Sequence, residues 1–99
     1  MYFYARVMGA QRAQKDETLG KEMFEMPIID MKATGVNIKA MIKQNGFKIA
    51  DVQARCGFNT PQAIFKWMRG DAVPTIDNMI ILADMFGVPI DKIIIVTRV

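Results

Sequence analysis

The feature that most constrains this chain lies between Ile49 and Arg69. Two short stretches with helical periodicity are separated only by Gly57-Phe58-Asn59. In the first, Ile49, Val52 and Cys56 recur at spacings of three and four, the period of one helix face. In the second, Thr60 is placed to cap, and Pro61 takes the first helical position, where its missing N–H costs nothing. Ile64, Trp67 and Met68 follow, and Gly70 stops the helix. So short a connection makes the two helices cross steeply, as in a helix-turn-helix. Gly57 supplies the positive φ, and Phe58 is expected to plug the angle.

The flanking sequence predicts further helices. One begins near Thr34, with Ile38, Met41 and Ile42 on one face and Lys39 and Lys43 on another, and it ends at Asn45-Gly46. Another is capped by Thr75, carries Ile76, Met79, Ile80, Ala83 and Phe86 at spacings of three or four, and closes at Gly87. Pro89 opens a short fifth element near residues 90–94. The apolar residues 26–31 could form a brief strand with the β-prone run at 93–99. The predicted fold class is all-α, a compact domain of five short helices with room for a short terminal strand pair. Residues 1–25 show little periodicity. They are read as an N-terminal extension, disordered or a frayed helix, and residues 26–99 as the domain. Met8, Met23, Met26 and Met31 offer alternative starts downstream of Met1.

Composition narrows the chemistry. With 99 residues, 52% of them hydrophobic, the chain can build one core without staples. There is no histidine, and Cys56 is the lone cysteine. A zinc site or a Cys–His nucleophile would therefore lack its usual groups. Cys56 is read as a small buried hydrophobe in a reducing compartment. No carboxylate pair, triad or glycine-rich phosphate loop is present, so no enzyme, metal or cofactor is expected. Apolar runs are too short to span a bilayer, and residues 1–6 show no apolar core of a signal peptide. A cytoplasmic protein is expected, with no membrane partner and no small-molecule ligand.

The net charge of +3 is unevenly spread. Residues 35–70 hold Lys39, Lys43, Lys48, Arg55, Lys66 and Arg69 against Asp51 alone, a net +5, whereas residues 71–99 carry −2. A concentrated basic stretch is either an ordinary solvated surface or the electrostatic footprint of a polyanion partner.

The ordered set Gly46-Phe47, Ala50-Asp51-Val52-Gln53, Cys56-Gly57-Phe58, the run from Thr60-Pro61-Gln62-Ala63-Ile64 through Phe65-Lys66-Trp67, Gly70, Pro74-Thr75-Ile76 and Gly87-Val88-Pro89 resembles the phage-repressor-type (XRE family) helix-turn-helix regulators. Within that family it is similar to a short Firmicutes-like subgroup. The resemblance covers about residues 28–96 and implies a lambda-repressor-like domain that binds double-stranded DNA and regulates transcription, most simply as a repressor. Three positions depart from the common pattern. Gln53 stands where a small residue is usual, the spacing from Gly57 to Ile64 is one residue longer, and Lys48 replaces a Ser or Thr cap.

Ile64 is assigned to the core, and Trp67 to the core in preference to base stacking. The remaining face of that helix is Pro61, Gln62, Phe65, Lys66 and Arg69. By resemblance, Gln62 and Lys66 occupy positions that meet base edges. Gln pairs bidentately with adenine and Lys donates to guanine, though Lys66 could equally serve a phosphate. Phe65 either touches a thymine methyl or packs against the preceding helix. Pro61 completes the base-reading set. Asn59 and Thr60 flank a helix N-terminus that favours phosphate, and Lys43, Lys48 and Arg69 are candidate phosphate clamps. One short helix reads few base pairs, so a homodimer is expected, with the short fifth element and residues 93–99 as its candidate apolar surface. The alternative is a protein-interaction module, such as an antitoxin or antirepressor, that uses the apolar C-terminal segment on a partner.

Overall fold

The computed structural model describes residues 14–16, 21–23 and 25–99. They fall into two units, Ile29–Thr97 and the described residues ahead of Ile29 together with Arg98 and Val99. In the latter, strands β1 (Gln14–Asp16) and β2 (Lys21–Met23) pair antiparallel, with Lys15 opposite Glu22. This two-strand element stands where the sequence predicts a frayed helix or no regular structure. The rest of that extension lies outside the described residues, apart from Glu25. Met26 and Val99 exchange backbone hydrogen bonds of 2.9 and 3.1 Å.

Strands β3 (Pro27–Ile29) and β4 (Val96–Arg98) form the expected strand pair between the 26–31 segment and the C-terminal run. Helix α1 (Met31–Gln44) follows. It starts three residues before Thr34 because Asp30 caps it, its Oδ1 accepting from the Ala33 N–H at 2.9 Å. Helix α2 is Ile49–Cys56, as expected. Helix α3 is Gln62–Arg69, so Pro61 takes the cap position and not the first helical one. Helix α4 is Ile76–Phe86. In place of the fifth helix there is a single 3-10 turn, Ile90–Lys92. Among the described residues the fold thus has four α-helices.

The core of the Ile29–Thr97 unit forms where these helices meet. Helix α1 gives Ile38 and Ile42, α2 gives Val52, α3 gives Ile64 and Trp67, and Ile93 closes the cluster from beyond the 3-10 turn. From α4 come Met79, Leu82, Met85 and Phe86. The expected α4 stripe is partly overturned, because Ile76 and Ile80 are 67% and 56% exposed. At about 100° per residue both lie well away from the direction that Met79, Leu82 and Phe86 share. Spacing alone allowed either face to be the buried one.

Helix α1 lies very close to α3. A Cβ on Gly35 would collide with the Trp67 carbonyl oxygen and stand 3.0 Å from that of Met68. At the far end of α3, Gly70 takes φ +81, and a Cβ there would come within 2.8 Å of the Lys32 Cα. Two side-chain-free positions therefore let α1 and α3 approach to backbone contact.

Candidate nucleic-acid interface

Helix α3 is two-sided because its sequence is. Ile64 and Trp67 point into the core at 0% and 4% exposure. Gln62, Lys66 and Arg69, at i, i+4 and i+7, form one line on the opposite side, and all three are exposed. Phe65 and Pro61 are half-buried on the flanks of that line.

The turn that aims this face is built as its composition implies. Gly57 adopts φ 73, ψ 28, the left-handed conformation that costs a glycine little. Phe58 is half-buried, and its ring meets Trp67 edge-on at a centroid distance of 5.7 Å. Asn59 and Thr60 are exposed. The Thr60 hydroxyl lies 3.5 Å from the Gln62 N–H, too far for a strong cap. The first turn of α3 thus keeps amide donors without a side-chain cap, and no acidic residue occupies it. Such an end attracts anions.

Lys43 and Lys48 bracket the turn between α1 and α2, and both are exposed. Lys48 stands at the α2 cap position, as expected, and its side chain makes no capping bond. The helix start is nonetheless supported, because Asp51 Oδ2 accepts from the Lys48 N–H at 2.7 Å. The Lys48 ammonium plays no part in that bond and is left on the surface. Arg69 is also exposed, but its Nε donates to Asp71 Oδ2 at 2.9 Å. A phosphate would have to compete with that carboxylate for the guanidinium. Arg55 is similarly engaged with Asp84 at 3.0 Å, tying α2 to α4.

One cation was missed by sequence reasoning. With α1 starting at Met31, Lys32 lies on the same exposed line as Lys39 and Lys43. Its signal was the capping Asp30, which moves the helix start upstream. Cys56 is half-buried and not wholly buried. Burial, then the nearby Asp77 charge, push its thiol pKa up against the opposing pull of Arg55. Asp77 itself is held below its ordinary range, first by the hydrogen bond it accepts from the Thr75 hydroxyl.

This geometry agrees with what the chain resembles. Residues 38–93 match a family model described as helix-turn-helix. Among solved structures, the DNA-binding domain of BldD aligns with a TM-score of 0.55 at 24% identity, covering 67% of this chain and 94% of that one. The S. venezulae BldD DNA-binding domain gives the same TM-score and identity, over 67% and 97%. The restriction-modification controller protein C.AhdI from Aeromonas hydrophila aligns with a TM-score of 0.57 at 14% identity, over 65% and 96%. At these identities the structures show a shared fold. No curated protein sequence matches the chain significantly.

Proposed function

The chain belongs to the helix-turn-helix family, and from that premise we propose that it is a sequence-specific regulator of transcription that lays α3 in the major groove of double-stranded DNA. The observation that carries this reading is the division of α3. Ile64 and Trp67 anchor one face in the core while Gln62, Lys66 and Arg69 line the other. A major groove admits a helix presented in this way. Gln62 reads a base edge, with Lys66 beside it on a base or a phosphate, and Pro61 and Phe65 supply apolar contact at the flanks. Lys43, Lys48, Asn59, Thr60 and Arg69 hold phosphates and set the register. The fold shared with a DNA-binding domain and with a controller protein supports the same role.

The protein acts in the cytoplasm as a homodimer on a two-fold operator and represses by occluding a promoter. Ile93 is not part of the dimer contact, since it is wholly buried in the fold. Val96 and Val99, at 53% and 72%, are the most exposed apolar residues of the C-terminal segment, with Ile94 and Ile95 half-buried beside them. Val96 and Val99 also carry the second reading, a protein-interaction module with an apolar docking tail.

Selection from random duplex DNA at about physiological salt tests the proposal. An enriched palindromic motif is expected. Salt-sensitive retention with no motif would reduce the chain to a non-specific binder, and no retention would favour the interaction module.

A further inference from the structure

We infer that Gln53 is a positioning residue that sets how α3 is presented to DNA, through a clasp on Phe58. The inference rests on the DNA-reading role proposed above and adds a determinant outside the reading face.

Gln53 holds both backbone groups of one turn residue. Its carbonyl accepts from the Phe58 N–H at 3.0 Å, and its side-chain Nε2 donates to the Phe58 carbonyl at 3.2 Å. The first bond belongs to the glycine-type ending of α2 and needs no particular side chain. The second is specific to a side chain with an amide donor and this reach. Phe58 in turn sets its ring edge-on against Trp67, and the Trp67 carbonyl is the group against which Gly35 of α1 packs. A continuous path therefore runs from α2, through the turn, to the buried side of α3.

The turn opens on Gly57, the residue type with the most backbone freedom, and an unpartnered carbonyl at Phe58 would leave that freedom in place. The Gln53 amide removes it. Ile64 and Trp67 keep α3 in the core with or without the clasp, so the clasp governs the aim of α3 more than its folding. Aim decides whether Gln62 meets a base edge in hydrogen-bonding geometry, while phosphate contacts tolerate small rotations.

The test compares wild type, Gln53→Met and Phe58→Leu. Methionine keeps the stem and volume at 53 without the amide donor. Leucine keeps an apolar group at 58 without the edge contact. Each is measured against the selected motif and a scrambled duplex, with a thermal scan of the free protein. Both variants are expected to stay folded and to bind scrambled DNA as wild type does. Both lose specificity, with the ratio of motif to scrambled affinity falling about tenfold, the scale of one misread base. Gln53→Met with an undiminished ratio overturns the clasp while the DNA-reading role stands. A wild type that enriches no motif overturns that role and the clasp with it. Equal weakening on both duplexes makes Gln53 merely structural and also overturns the proposal.

Discussion

The Thr34 hydroxyl and the backbone of Ile95, 61 positions apart, are bonded at a site where the Thr34 side chain is fully buried. The Ile95 N–H donates to Thr34 Oγ1 at 2.9 Å, and the hydroxyl faces the Ile95 carbonyl at 3.4 Å. One turn along α1, Asn37 Nδ2 donates to the Lys92 and Ile93 carbonyls at 2.8 and 3.0 Å. The C-terminal segment is therefore held to α1 by side chains that look like ordinary polar helix residues. Thr34→Val keeps the shape and removes the hydroxyl, leaving the Ile95 N–H without its partner. We expect a loss of about 1–3 kcal/mol in denaturant unfolding, with DNA affinity unchanged when the variant is folded. A stability equal to wild type would show that water replaces the hydroxyl.

Gly35 gives a second stability prediction with the opposite sign from helix propensity. Alanine in a helix interior is ordinarily better than glycine by about 1 kcal/mol. Here the added methyl meets the backbone of α3, which cannot swing aside as a side chain can. Gly35→Ala should therefore destabilise by about 1–3 kcal/mol and tilt α3. Thermal unfolding reads the first effect and loss of operator discrimination the second. A stabilised Gly35→Ala protein would mean that α1 and α3 do not touch in this way.

Gln62→Ala should relax sequence preference at one base step while non-specific affinity persists. The expected cost on the best operator is about 1–3 kcal/mol. Competition binding with single-base operator variants measures it. Uniform weakening on all sequences would remove Gln62 as a reader and place it among the phosphate-binding residues.

Replacing Lys43 and Lys48 together by alanine should weaken binding to every duplex. The slope of log affinity against log salt should become shallower by about one for each phosphate that these lysines neutralise. Titrations across a salt series decide this. An unchanged slope would return both lysines to the solvated surface.

The Cys56 thiol should be less reactive than a free cysteine. Burial and Asp77 raise its pKa in the folded chain, so less thiolate is present at any pH below the ordinary thiol range. The same shift gives a stability contribution that is complete below the unfolded thiol pKa and is lost as pH rises through the folded one. Alkylation rates from neutral to mildly alkaline pH, native against unfolded, check the reactivity. Equal native and unfolded rates would show that the site is open.

Much of this protein was determined by the sequence itself, where local chemistry acts alone. Gly57 and Gly70, with the spacing of Ile64 and Trp67, were enough to place α2 and α3 and to assign the buried face of α3. Gly46 and Gly87 likewise closed α1 and α4 where expected. Those features depend on φ and on helical period, which a few neighbouring residues control. The tertiary structure decided what depends on distant groups. It chose Leu82 and Met85 over Ile76 and Ile80 for the α4 core, because burial follows the neighbours α4 packs on. It drew Arg69 to Asp71 and moved Ile93 from a candidate surface into the core. It also gave Gly35, Thr34 and Gln53 roles that composition does not show. Each of the three acts on backbone groups outside its own helix, and only the folded chain brings those groups within reach.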